Sequence, residues 1–94
     1  MDNTELELRR TIAAADRARA LIEDPLLVEA FQRVHDHCLS AWLNSPADAP
    51  ELREKLWHHI QALAEVRLEL NRALDNGVMA QAQLTELRTG STNL

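Results

Sequence analysis

The chain has 94 residues, enough for one domain with a modest core. Its formal net charge of −5 at pH 7 argues against nucleic acid and anionic membranes as partners, because both attract clustered Lys and Arg. Hydrophobic residues make up 46% of the chain but aromatic residues only 3%, and most of the apolar residues are Leu and Ala. This composition favours helices over strands. We therefore expect an all-α protein that forms a single helical domain over residues 1–94.

Cysteine usage and the N-terminus bear on the cellular compartment. A single cysteine, Cys38, excludes an internal disulfide, so folding does not depend on an oxidising compartment. The first ten residues carry charges with no apolar run behind them, which is not the pattern of a signal peptide. No stretch approaches the roughly 20 apolar residues of a membrane span. These features predict a soluble, intracellular protein.

The first predicted helix covers about residues 5–23. Thr4 with Glu7 three residues later has the pattern of a capping box. Helical spacing predicts an inward-facing set of Leu8, Ile12, Ala15 and Ile22, with Ala18 beside them. Because several of these side chains are small, this face can approach another helix closely but buries little apolar surface. The sequence leaves open whether the helix packs on its own chain or on a neighbouring subunit.

The middle of the chain predicts an antiparallel helical hairpin. Asp24-Pro25 breaks the chain and caps a second helix over about residues 25–43. A third helix covers about residues 50–76, and its Leu56, Leu63 and Leu70 are seven apart, close to a coiled-coil seam. The short connection of residues 44–49 makes the two helices antiparallel neighbours.

Pairing these helices outward from the turn sets Phe31 near Leu63 and Cys38 near Leu56. The predicted inner face of the second helix is Leu27, Phe31, Val34, Cys38 and Ala41. That of the third is Leu52, Leu56, Ile60, Leu63, Val66, Leu70, Ala73 and Leu74. Asn76-Gly77 has the pattern of a helix C-terminus. A short separate helix is then predicted over residues 78–88, and a disordered tail over residues 89–94.

One group of residues resembles a metal site. His35 and Cys38 are three apart, and the antiparallel register sets His59 opposite His35, giving three candidate zinc ligands. A fourth ligand and the common zinc-binding spacings are missing, so we expect no metal and no cofactor, with Cys38 a small buried hydrophobe. The chain also lacks a glycine-rich phosphate loop and a convergent polar set. We therefore expect no catalytic residue and no enzymatic activity.

Apolar residues remain exposed after the hairpin is packed. Trp57, Ala64 and Leu68 form a second stripe beside the seam, and Leu39 and Trp42 add an apolar edge on the second helix. Two helices cannot each bury two faces, so these residues predict an interface with another subunit or another protein, and we favour a homo-oligomer. Packing of the stripe against the first helix within one chain is the alternative.

The runs DPLLVEAF, AWLNSP, ELREKLWHHIQAL and NRALDNG resemble small uncharacterised helical proteins of tailed bacteriophages. The resemblance covers about residues 21–87 and carries over no functional site. It implies a viral protein in the host bacterial cytoplasm or the virion, acting as a helical oligomer or adaptor in virion assembly or DNA packaging. One alternative is a small acidic inhibitor of a host defence protein. A second is a small-ligand or nucleotide binder using His35, His59 and Arg67.

Overall fold

Three helices make up the described part of the chain. The computed structural model describes residues 3–92, with side-chain exposure described for residues 3–90. Helix α1 is Asn3–Glu23, α2 is Pro25–Leu43 and α3 is Pro50–Thr92. No strand occurs within residues 3–92, so the all-α prediction is confirmed. In the same range, no helix combines the length and the apolarity that crossing a membrane requires.

The junction between α1 and α2 follows from Asp24 and Pro25. Asp24 is extended (φ −69°, ψ 116°), and its Oδ1 accepts hydrogen bonds from the backbone N–H groups of Leu26 at 2.8 Å and Leu27 at 3.3 Å. Pro25 occupies the first turn, where a missing N–H leaves no helical bond unmade. The predicted break is therefore confirmed. At the other end of α1, the helix already includes Asn3, so Thr4 lies within the first turn and not before it.

The predicted end of the third helix is wrong. The sequence predicts a stop at Asn76-Gly77, but α3 runs on through Gly77 to Thr92 as one helix of 43 residues. The separate helix over residues 78–88 and the disordered segment over residues 89–92 are therefore parts of α3, and residues 93–94 lie outside the described residues. None of the described glycines has a positive φ, so Gly77 is not the left-handed residue that ends many helices.

The seven-residue pattern explains why α3 continues. The spacing of Leu56, Leu63 and Leu70 is repeated at Gly77 and again at Leu84. Gly77 therefore occupies the same heptad position as these leucines, and the apolar face of the helix continues without a shift on both sides of it. The glycine occupies a packing position of this repeat.

The chain divides into two compact units, which are described separately. Unit 1 comprises Met1–Ile22 and Glu69–Leu94, and unit 2 comprises Glu23–Leu68. In unit 1, α1 packs against the C-terminal part of α3 of the same chain. The buried residues there are Ala15, Ala18, Gly77, Ala80 and Leu84. The predicted inward position of Ala15 is therefore confirmed, and Ala18 beside it is buried as well.

Gly77 marks a very close approach of α3 to α1. A Cβ atom placed on Gly77 would lie 2.1 Å from the Ala15 Cβ, 3.6 Å from the Ala15 Cα and 3.8 Å from the Thr11 carbonyl oxygen. Two carbon atoms cannot sit 2.1 Å apart without a bond, so any side chain at position 77 would push the helices apart. Glycine is required here by the contact between helices.

In unit 2, α2 contacts the N-terminal part of α3. The Arg53 guanidinium lies 5.5 Å from the centre of the Trp42 ring, and the Arg67 guanidinium lies 5.2 Å from the centre of the Phe31 ring. The sequence predicts Leu63 as the neighbour of Phe31. The residue over the Phe31 ring is Arg67, which lies one helical turn after Leu63. Cys38 is buried, as expected for an inner-face residue.

Three residues of the predicted inner faces lie outside. Val34 is 47% exposed, and Leu52 and Val66 are also exposed. His35, the neighbour of Val34, is partly buried instead. The less exposed face of α2 therefore contains Phe31, His35 and Cys38, which are spaced by four and then three residues. This spacing is also helical, and it differs from the predicted face only in having His35 in place of Val34.

Candidate interaction surface

Few apolar side chains of this protein are buried. The buried ones within the described residues are Ala15, Ala18, Cys38, Ala80 and Leu84. At least fifteen large apolar side chains are exposed, including Leu26 at 74% and Trp57 at 52%. Much of the apolar surface is therefore available to a partner.

We use the name tryptophan surface for five residues of unit 2 that the sequence predicts to form an interface: Leu39, Trp42, Trp57, Ala64 and Leu68. All five are exposed. Trp57 and Leu68 are more than half exposed, at 52% and 57%, and Leu39 and Trp42 are 40% and 37% exposed. These side chains are therefore accessible within the single chain.

Arg53 holds the α2 edge of the tryptophan surface beside α3. Its Nε donates a hydrogen bond to the Ser45 Oγ at 2.8 Å, and its Nη2 donates to the Ser45 carbonyl oxygen at 3.1 Å. The Ser45 hydroxyl in turn donates to the Trp42 carbonyl oxygen at 2.6 Å. With the guanidinium also over the Trp42 ring, these contacts join the end of α2 to the start of α3 and position the indole.

Helical spacing places the α3 residues of the surface on one stripe. Trp57 lies four residues after Arg53, so both side chains project from the same side of α3. Ala64 follows Trp57 by seven residues and Leu68 follows Ala64 by four, which continues that stripe. Because Arg53 stacks on Trp42, the stripe begins next to the α2 edge.

Sequence reasoning did not single out Arg53. A usable signal was present, since Arg53 precedes Ile60 by seven residues and Arg67 by fourteen, all in one heptad column. Two arginines in a column that faces a helix carrying Phe31 and Trp42 indicate stacking on aromatic rings. Only the contacts in the structure show which arginine meets which ring.

The candidate metal ligands do not form a site. Within residues 3–92, no three His, Cys, Asp or Glu side chains are grouped so that they could hold a metal ion. Cys38 is buried and His59 is exposed. The Nδ1 of His35 lies 3.5 Å from the Oδ1 of its neighbour Asp36. That the protein binds no metal remains a prediction.

Two shallow grooves lie in unit 1, each of about 260 Å³. Both are lined by Ile12, Asp16 and Gln81, and the second also by Arg9, which pairs with Glu5 at 3.0 Å. Their volume falls below the roughly 300–1,000 Å³ of typical ligand pockets. None of the residues proposed for ligand binding, His35, His59 and Arg67, lines either groove.

No protein-family model, no curated protein and no solved structure matches this sequence.

Proposed function

We propose that this chain is a non-enzymatic helical protein that works by self-association through the tryptophan surface. The observation that supports the proposal is the exposure of Trp57, Leu68, Leu39 and Trp42 on a chain with few buried apolar side chains. Large exposed apolar patches on soluble proteins usually mark interaction sites. Tryptophan is also among the residues that contribute most to binding energy at interfaces.

In this proposal, α2 and the N-terminal part of α3 form an antiparallel hairpin that presents the surface. The two arginine–aromatic contacts support this direction. Arg53 and Trp42 lie close to the connection, whereas Arg67 and Phe31 lie far from it on both helices. The connection between Leu43 and Pro50 is also short.

We further propose that the protein serves a bacteriophage, as an oligomer or adaptor in virion assembly or DNA packaging. The resemblance of residues 21–87 to small helical phage proteins supports this setting. In that role the protein acts in the host cytoplasm or the virion and contacts another protein besides its own copies.

A small acidic inhibitor of a host protein is the second candidate. The net charge of −5 favours it. Against it, acidic side chains alternate with arginines along the exposed helix faces, in the ion pairs Arg9–Glu5, Arg33–Glu29 and Arg72–Glu69. Such exposed pairs contribute about 0–1 kcal/mol each. They also interrupt the continuous acidic face that a basic target would favour.

A small-ligand or nucleotide binder has less support. The guanidinium of Arg67 lies over the Phe31 ring, which gives this arginine a structural role. The grooves in unit 1 are small and open, and they lie apart in sequence from His35, His59 and Arg67. Neither of these two grooves therefore brings the three side chains to a cavity.

The test is the mass of two variants in sedimentation experiments. Trp57→Glu should dissociate the oligomer with little loss of helix content, because an unpaired carboxylate in an interface costs several kcal/mol. Leu87→Glu is the matched control, since Leu87 is 50% exposed but lies in unit 1, outside the surface. A parent chain that is monomeric, or a Trp57→Glu variant with the parent's mass, contradicts the proposal.

A further inference from the structure

We propose that the partner on the tryptophan surface is a second copy of this chain, whose α3 lies antiparallel to the first. The two-fold axis passes between Gln61 and Ala64 of the two helices. This inference rests on the proposed self-association and specifies its geometry. It commits to a symmetric dimer in which each copy presents the same residues to the other.

The order of side-chain sizes along the exposed stripe fits an antiparallel pair. Going along α3, the stripe reads Trp57, Gln61, Ala64 and Leu68, with large apolar residues at both ends and a polar and a small residue between them. Antiparallel pairing sets Trp57 against Leu68 of the second copy and Gln61 against Ala64. Every large side chain then meets an apolar one, and the two helices can come close at the axis.

A parallel pair would use the same stripe less well. It would set Trp57 against Trp57 and Gln61 against Gln61, so that two polar amides would face each other between the apolar contacts. Closure by a two-fold axis is available to both arrangements. The packing of unlike sizes is what favours the antiparallel one.

The charges beside the stripe favour the same arrangement. His58 and Glu65 are both exposed and lie next to the stripe on its outer side. In the antiparallel pair this outer side is shared by the two copies, so His58 faces Glu65 of the second copy. In a parallel two-fold pair the outer sides of the two helices lie on opposite sides of the interface, so these two side chains would not meet. Within its own chain, the Nε2 of His58 lies 3.6 Å from the Oε1 of Glu54. Unlike groups therefore meet across the antiparallel interface.

The α2 edge of the tryptophan surface adds to the interface. Leu39 and Trp42 are 40% and 37% exposed beside the stripe on α3. Their apolar side chains extend what the second copy can cover beyond Trp57 and Leu68, which are 52% and 57% exposed. Burial of exposed Trp and Leu side chains is what stabilises such an interface.

Disulfide cross-linking of exposed positions tests the geometry. In the antiparallel pair, the two copies of position 58 are separated by about 13 Å along the helices, at about 1.5 Å rise per residue, and the two copies of position 65 by about 8 Å. Both separations exceed the roughly 7 Å limit between Cα atoms for a disulfide. Position 58 of one copy and position 65 of the other lie within reach.

We expect His58→Cys and Glu65→Cys chains to form no disulfide dimer alone and to form one when mixed in a glutathione buffer. Ala64→Cys, close to the axis, should link to its own copy. Ala20→Cys, on exposed α1, is the control that should not link, and Cys38 does not compete because it is buried.

The outcomes separate the geometry from the proposed function. If the parent chain sediments as a monomer, both the self-association and this dimer are refuted. If the parent is oligomeric and Ala64→Cys links to its own copy but the mixed His58→Cys and Glu65→Cys chains do not link, the copies meet on this face in another direction and only the geometry is wrong. If the parent is oligomeric and neither the mixed pair nor Ala64→Cys links, the two copies do not meet on this face, and the geometry is again wrong.

Discussion

Replacing Gly77 by alanine tests the close packing of α1 on α3. In an ordinary helix, glycine to alanine stabilises by up to about 1 kcal/mol, because alanine restricts the unfolded chain. Position 77 should show the opposite sign. The added Cβ would sit 2.1 Å from the Ala15 Cβ, and that atom is fixed to the α1 backbone and cannot rotate away.

The size of the effect follows from the two opposing terms. The added methyl group requires α1 to move away by more than about 1 Å, and forcing extra carbon into a packed contact typically costs about 1–3 kcal/mol. The distance of 2.1 Å places this site toward the upper end of that range. After subtraction of the gain in helix propensity, we expect Gly77→Ala to lower the free energy of unfolding by about 1–2 kcal/mol.

Two further variants make the assay specific. Gly90→Ala is the matched control, because Gly90 is also helical but has no atom within 4 Å of the position that a Cβ would take, so it should stabilise or be neutral. The exchange Ala15→Gly with Gly77→Ala should restore stability. Without the Ala15 Cβ, the new methyl group has the Ala15 Cα at 3.6 Å and the Thr11 carbonyl oxygen at 3.8 Å, which are ordinary contacts.

Free energies of unfolding would be measured with chemical denaturant at one fixed chain concentration, because association adds to apparent stability. The four chains of the cycle should show a coupling of about 2 kcal/mol between positions 15 and 77. If Gly77→Ala is as stable as the parent or more stable, as expected of Gly90→Ala, then α1 does not pack on α3 through this glycine.

Three further predictions concern single side chains. Leu84→Ala should lower the free energy of unfolding by about 2–5 kcal/mol, because Leu84 is only 4% exposed. Leu87→Ala should lower it by under about 1 kcal/mol, because Leu87 is 50% exposed. Equal losses for the two variants in denaturant unfolding would contradict the described core. Arg53→Met should lower the free energy of unfolding by about 1–3 kcal/mol, because it removes the two hydrogen bonds from Arg53 to Ser45. A melting temperature equal to the parent's would show that these bonds do not stabilise the connection between α2 and α3. The Cys38 thiol should react with a chromogenic disulfide at least about tenfold more slowly in the folded chain than in denaturant, since it is buried; equal rates would refute its burial.

Local patterns in the sequence predicted the helices but not their full extent. The Asp24-Pro25 break was predictable because capping and proline geometry act over a few neighbouring residues. Asn76-Gly77 has the same local pattern as a helix end, yet the helix continues. Its glycine is explained by Ala15, about sixty residues away in sequence, and no local pattern contains that contact. The repeat from Leu56 through Gly77 to Leu84 was the signal that favoured a continuous helix.

The candidate surface shows a similar limit. The apolar stripe of Trp57, Ala64 and Leu68 was predictable from helical spacing, and its exposure agrees with that spacing. The sequence could not show whether Val34 or His35 lies on the inner face of α2. Both positions fit a helical spacing between Phe31 and Cys38, and the side from which α3 contacts α2 decides between them. The role of Arg53 depends likewise on contacts across the connection.

Sedimentation equilibrium of the unmodified chain over a range of concentrations tests the central claim most directly. Self-association through the tryptophan surface predicts a mass of at least twice the 10.6 kDa of one chain, falling toward the monomer value on dilution if the complex is weak. A mass that stays at 10.6 kDa at every concentration would contradict it.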